Sequence, residues 1–167
     1  MRISYGKNVY GKEEIAAVNK TLKKSTQMGK SVKEFENKIA KNFSKKHGVM
    51  VNSGSSALTL AMKVLNIKKG DEIITPCLNF GTAVSSIVLA QATPIFVDVE
   101  VDTLQINVSK IEEKITKKTK AILIPNLIGN IPDWKKIYEL SKKKNLKIIE
   151  DSADTLGAKI NNKPTGI

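Results

Sequence analysis

From Gly48 onward the sequence keeps a strict alternation, and that alternation limits the folds open to it more than any other feature. Short runs of branched apolar residues occur at Val49–Val51, Ile73–Thr75, Pro94–Val99, Ala121–Pro125 and Leu146–Ile149. Between them lie segments long enough for a crossover helix: Ala57–Leu65, Thr82–Ala90, Ser109–Ile115 and Trp134–Lys144. A short apolar run bounded by turn residues reads as a strand buried on both faces. Strands separated by helices pair in parallel, because a chain that crosses over a sheet re-enters it in the same direction. The pattern therefore predicts an α/β fold, a three-layer α/β/α arrangement on a mainly parallel sheet. Crossovers are right-handed, so every strand-to-helix loop opens on one edge of that sheet. Ligands of such sheets sit just beyond the carboxyl ends of the strands.

Two helices are expected ahead of this region. Glu13 to Lys24 carries Ile15, Val18 and Leu22 at helical spacing. A second helix opens at Ser31, with Glu34 completing a capping box, and Val32, Phe35, Ile39 and Phe43 form one apolar stripe. His47-Gly48 ends it. Both stripes are read as packing surfaces. Ser109 with Glu112 forms a second capping box, and Gly70-Asp71 and Asn161-Asn162 mark turns.

Composition removes several function classes. The net charge of +12 invites a nucleic-acid reading, but the lysine pairs and triplets fall on predicted helix faces and in turns. Aromatic residues are 5% and none interleave with those runs, so no base-stacking platform forms. No nucleic-acid partner is expected, although an anionic small substrate would profit from the field. The longest uncharged stretch, Phe80 to Val97, is broken by Gln91, Thr93 and Pro94, so no membrane helix and no membrane partner are expected. The opening MRISYGKNVYG lacks the apolar core of a secretory signal. A single cysteine, Cys77, forms no internal disulfide and suits a reducing cytoplasm.

Three strand ends carry unusual residues. Asn52-Ser53-Gly54-Ser55-Ser56-Ala57-Leu58 joins a strand to a helix. Small residues there allow close backbone approach, and a helix N-terminus offers free N–H groups, so Gly54, Ser55 and Ser56 are candidates for a phosphate cup. A Ser-rich helix cap would look the same. Pro76-Cys77-Leu78-Asn79-Phe80-Gly81-Thr82 places Phe80 where it could cover the face of a flat ring, or simply pack beneath its own loop. The run Leu146 to Asp154 ends in Asp151 and Asp154. Asp151 suits a metal, a ribose hydroxyl, the ring nitrogen of pyridoxal phosphate, or the cap of the next segment. No His or Cys accompanies the two aspartates, so no metal site is expected. The one histidine, His47, lies in another segment, so Cys77 has no partner base. Phosphate cup, ring cover and ring-nitrogen acid on one sheet edge fit pyridoxal 5'-phosphate in combination.

The same stretches carry a resemblance. VNSGSSAL, DEIITPCLNFGTAVSSIVLAQATPIFVDVEVDTLQI, KTKAILIPNLIGNIPDW and LKIIEDSADTLGAKINNKPTG, with the opening GKEEIAAVNKTLKKSTQMGKSVKEFENKIA, resemble the DegT/StrS-type sugar aminotransferases. The resemblance implies a fold-type I pyridoxal-phosphate enzyme acting on nucleotide-linked keto-sugars in surface polysaccharide, lipopolysaccharide or deoxysugar biosynthesis. Residues 1–47 would be an N-terminal helical arm and 48–167 the first half of the large cofactor domain. By the family's roles, Gly54, Ser55 and Ser56 would hold the cofactor phosphate, Phe80 would stack on its ring, and Asp151 would pair with the protonated ring nitrogen. Asp154 stands where the aminotransferases usually place Gln or His near the phenolic oxygen. Together with LNFGT and LIGN, it is more similar to the branch of 3-dehydratases that makes 3,6-dideoxysugars, which is the alternative reading. The family's cofactor-linking lysine, or histidine in the dehydratases, would lie beyond Ile167. The chain thus resembles an inactive N-terminal fragment, with no catalytic residue of its own, of a cytoplasmic homodimer that uses an amino donor such as glutamate. A basic nucleic-acid binder is the alternative from another class, and the salt dependence of DNA affinity separates it from the enzymes.

Overall fold

The computed structural model describes residues 6–27 and 29–166; Met1 to Tyr5 of the opening segment, Met28 in the linker and Ile167 lie outside the described residues. Its elements are α1 (Lys12–Lys24), α2 (Lys30–Asn42), α3 (Gly54–Val64), β1 (Glu72–Pro76), α4 (Gly81–Leu89), β2 (Thr93–Val97), β3 (Thr119–Pro125), α5 (Trp134–Lys144), β4 (Lys147–Asp151) and a small hairpin, β5 (Lys159–Ile160) with β6 (Lys163–Pro164). Strands β1 to β4 form one parallel sheet in the order β2-β1-β3-β4.

The alternation of side chains across each strand makes three layers. Ile73, Ala121, Leu123 and Ile149 point to one face, where Leu58 and Met62 of α3 and Ala83 and Ile87 of α4 cover them. Ile74, Ile122 and Ile124 point to the other, against Trp134 and Ile137 of α5 together with Ile106 and Ile111. Both faces of β1 and β3 are dry, which is why their sequences read as continuous apolar runs rather than as alternating ones.

Local signals set the ends of the helices that pack on the sheet. Ser53 caps α3 by accepting the Ser56 N–H at 3.1 Å. Asp133 does the same for α5, accepting from Lys136 N–H at 3.1 Å. Asn145 stops α5 in the left-handed conformation (φ 52°), which its short polar side chain tolerates. Asn161 and Asn162 both have positive φ and turn β5 into β6.

Several expectations are corrected. Val49–Val51 is not a strand: both edges of the sheet are other strands, no strand among the described residues pairs with these three, and Met50 N–H donates to Glu36 Oε1 at 2.9 Å. The proposed crossover helix Ser109–Ile115 is two 3-10 turns, Val108–Lys110 and Glu112–Lys114. Its capping box does not form, because Asn107 accepts the Ser109 N–H and Glu112 is drawn to Lys143 and Lys144, each 3.0 Å away on α5. The box at Ser31 also fails: α2 starts at Lys30 behind Gly29, and Glu34 pairs with Lys30 at 3.9 Å. The stripe on α1 is not core, since Ile15, Val18 and Leu22 are exposed and α1 buries no residue. On α2 only Ala40 is buried; Phe35 is exposed and Ile39 and Phe43 are half-buried. No helix among the described residues is long and apolar enough to cross a membrane.

Candidate active site

The carboxyl ends of β1, β3 and β4 share one edge, with Pro125 of β3 directly beside Asp151 of β4. A cavity of about 450 Å³ opens between the loops that follow these strands. Phe80, Asn126, Leu127, Asp151 and Asp154 line it. Phe80 is 66% exposed, so it does not pack under its own loop but stays open to the cavity it lines. Asn79 holds that loop, donating from Nδ2 to Thr75 Oγ1 at 3.0 Å and accepting the Phe80 N–H at 2.7 Å.

Asp151 is half-buried, and its Oδ1 accepts the Ala153 N–H at 3.1 Å. That bond fixes the carboxylate at the strand end. Asp154 Oδ2 accepts the Ile128 N–H at 3.1 Å, so it bridges the loop after β4 to the loop after β3. The two aspartates therefore serve different segments.

A third residue, not singled out from the sequence, organises both loops. Asn126 is 1% exposed. Its Nδ2 donates to Glu150 Oε1 at 2.9 Å, Ser152 Oγ at 3.1 Å and Thr155 Oγ1 at 3.3 Å. Its Oδ1 accepts the Trp134 Nε1–H at 2.8 Å, and its backbone N–H donates to Asp151 O at 2.9 Å. One amide thus ties the ends of β3 and β4 to the first turn of α5. Glu150 Oε2 is buried, and burial first, then the Glu150 charge, pushes the nearby Tyr138 hydroxyl up to about 12. The one signal for Asn126 in the sequence was its place at a strand end, in PNLIGN.

Gly54, Ser55 and Ser56 open α3. The short connection 65–71 leads from the helix end straight into β1, so the N-terminus of α3 lies toward the carboxyl edge of the sheet. Ser53 Oγ occupies the Ser56 N–H, while Ser56 Oγ donates to Asn52 Oδ1 at 2.6 Å. The N–H groups of Gly54 and Ser55 lie ahead of the first intrahelical bond, and a Cβ on Gly54 would meet nothing within 4 Å. Ser55 and Ser56 do not line the cavity of Phe80 and Asp151; they border a shallower hollow with Val51, Thr59 and Lys63. An anion could approach the two free N–H groups from open space.

Elsewhere, Cys77 Sγ donates to Asp98 Oδ1 at 3.5 Å. The Asp98 carboxyl is held below the usual range, first by the Val99 N–H and then by the thiol. The thiol therefore donates to a carboxylate. His47 borders a different cavity, between α2 and β4. No group of three or more His, Cys, Asp or Glu side chains suited to a metal ion occurs among the described residues.

An exposed aromatic residue beside a fixed carboxylate suits a flat ring with a protonated nitrogen, and the open turn at Gly54 and Ser55 suits an anionic substituent. Comparison with known proteins points the same way. The profile of the DegT/DnrJ/EryC1/StrS aminotransferase family matches residues 8–167. The chain is 41% identical over 164 residues to GDP-perosamine synthase of Escherichia coli O157:H7, covering 97% of this chain and 45% of that protein. It is 39% identical over 158 residues to dTDP-3-amino-3,6-dideoxy-alpha-D-galactopyranose transaminase of Aneurinibacillus thermoaerophilus, covering 94% of this chain and 44% of that protein. Its structure superposes on E. coli GDP-4-keto-6-deoxy-D-mannose-3-dehydratase with bound hydrated PLP at a TM-score of 0.90 and 33% identity, covering 97% of this chain and 43% of the other. The chain thus spans less than half the length of the curated relatives it matches.

Proposed function

This chain belongs to the DegT/DnrJ/EryC1/StrS aminotransferase family, and from that premise we propose that the whole protein transfers an amino group from a donor such as glutamate to a nucleotide-linked keto-sugar, with pyridoxal 5'-phosphate as cofactor. The observation that carries this reading is the cavity in which Phe80 and Asp151 meet at the carboxyl edge of the sheet. When bound, the cofactor supplies an electron sink that no side chain provides. Asp151 accepts the ring N–H and keeps that proton in place. Phe80 covers one face of the ring and excludes water from it. The N–H groups of Gly54 and Ser55, with the Ser55 hydroxyl, would donate to the phosphate, and the Ser56 hydroxyl would join them on leaving Asn52 Oδ1. Lys159 and Lys163 stand on the β5–β6 hairpin and do not line this cavity.

The test is to supply the whole protein with pyridoxal phosphate, glutamate and a GDP- or dTDP-linked 4-keto-6-deoxysugar, then identify the product by mass spectrometry. An amino sugar is expected. A 3-deoxy product without nitrogen would instead assign the protein to the 3-dehydratases, and absence of the cofactor's visible absorbance after dialysis would remove both readings.

We further propose that the whole protein works as a homodimer in the cytoplasm, on a surface-polysaccharide or deoxysugar route. Val88 and Leu89 at the end of α4 and Phe96 on the edge strand β2 are all exposed. Apolar surface of that kind favours association, and the single exposed thiol of Cys77 suits a reducing compartment. Light scattering should give twice the mass of one chain; a monomer at working concentration would rule out the dimer.

A further inference from the structure

Ile128 occupies a backbone conformation that its side chain disfavours. Its φ is 52° and ψ 27°, in the left-handed region. Seven other non-glycine residues share a positive φ, namely four asparagines with Ser44, Gln91 and Leu104, so Ile128 alone among the described residues is β-branched there. A branch at Cβ crowds the following peptide in this region, and such a residue persists only where its surroundings hold it. The holding contacts are visible. Leu127 O accepts from Asn130 N–H at 3.1 Å and from Gln105 Nε2 at 3.1 Å. Asn130 Nδ2 donates to Thr103 O at 2.9 Å. The Ile128 N–H itself is taken by Asp154 Oδ2 at 3.1 Å. The loops are close enough that a Cβ on Gly129 would stand 3.6 Å from Asp154 O.

We propose that Asp154 is a positioning residue that latches the strained Leu127-Ile128-Gly129 turn to the loop after β4 and so sets the Leu127 wall of the cavity containing Phe80 and Asp151. In this role Asp154 acts through the turn rather than on a bound ring. Its carboxylate oxygen accepts an N–H that would otherwise be turned away if Ile128 relaxed toward negative φ. The latch is a property of this chain, and only its effect on ligand binding rests on the cofactor reading above.

The experiment uses the whole protein with Asp154→Ala, Asp154→Asn, Ile128→Gly and the Asp154→Ala/Ile128→Gly pair. Amide exchange of residues 126–131 is followed without cofactor, and pyridoxal-phosphate affinity by absorbance. Asp154→Ala should speed exchange of the turn and weaken binding, each by about tenfold, the usual worth of a hydrogen bond to a charged group. Asp154→Asn keeps an acceptor oxygen and should change both by less than about threefold. Glycine has no Cβ to crowd, so in the Ile128→Gly background Asp154→Ala should have less than about a threefold effect on binding. Equal losses for Ala and Asn, carried unchanged into the Ile128→Gly background, would show that Asp154 acts directly through its charge and overturn the latch. Unchanged exchange in Asp154→Ala would overturn it as well, as would faster exchange with unaltered affinity. Should the unsubstituted protein bind no cofactor, the functional reading fails by itself and the exchange results alone decide the latch.

Discussion

Asp151→Asn is expected to slow single-turnover amino transfer by the whole protein by about a hundredfold or more, with the fold intact. The substitution keeps an oxygen for the Ala153 N–H, which Asp151 now holds at 3.1 Å, so the strand end retains its shape. What it removes is the negative charge facing the cavity. A ring nitrogen opposite a neutral amide loses its proton and withdraws electrons less strongly. A charge-assisted hydrogen bond in a site that excludes water contributes about 3 kcal/mol to a transition state, and each 1.36 kcal/mol is about tenfold in rate. Asp151 is half-buried in this chain, so closure of the site by the rest of the protein and its substrate is part of the expectation. The control is Asp154→Asn, which should change the rate far less. The cofactor's absorbance, followed against pH, reads the ring proton directly and should shift in the Asp151 variant alone. A rate within threefold of the parent would remove Asp151 from the role of ring acid.

Asn126→Ala should destabilise the fold by about 3 kcal/mol or more, measured by urea unfolding. The side chain is fully buried and its amide is saturated by Glu150, Ser152, Thr155 and Trp134. Truncation leaves the Trp134 Nε1–H without its acceptor in a dry interior and removes a donor from the Glu150 carboxylate. Each stranded polar group costs about 1–3 kcal/mol, and bonds in one network fail together. Cofactor affinity should fall with stability, because the same side-chain amide holds Glu150 and Ser152, the neighbours of Asp151 on either side. Trp134→Phe is the informative partner variant: it keeps the ring's packing and removes one bond, so it should lose about 1 kcal/mol. A loss below that figure for Asn126→Ala would mean that packing, not the network, aligns the strand ends.

Much of this architecture was legible from local patterns. Trp134–Lys144 is helical over the segment expected because Asp133 caps its start and Asn145 ends it, both by contacts within a few residues. Strands β1 to β4 fall where branched apolar runs stand, since burial on both faces selects such residues whatever their neighbours. The strand ends and the parallel order then put Phe80 and Asp151 on one edge, as crossover geometry requires.

At Val49–Val51 and at Glu112, where the reading failed, the deciding partner was distant in sequence. Val49–Val51 has strand composition, but a strand exists only where another offers it a ladder. Glu112 could have capped its own turn, yet it meets Lys143 and Lys144 across the fold. Asp154 reaches back to Ile128, and Asn126 forward to Glu150 and Thr155. The sequence alone determined the layers, the strand ends and which side chains stand at them, because propensity, capping and two-sided burial act over short range. Only the tertiary structure decided which of those polar groups meet, because a hydrogen bond requires two atoms within about 3 Å, and that separation is set by packing between segments rather than by spacing along the chain.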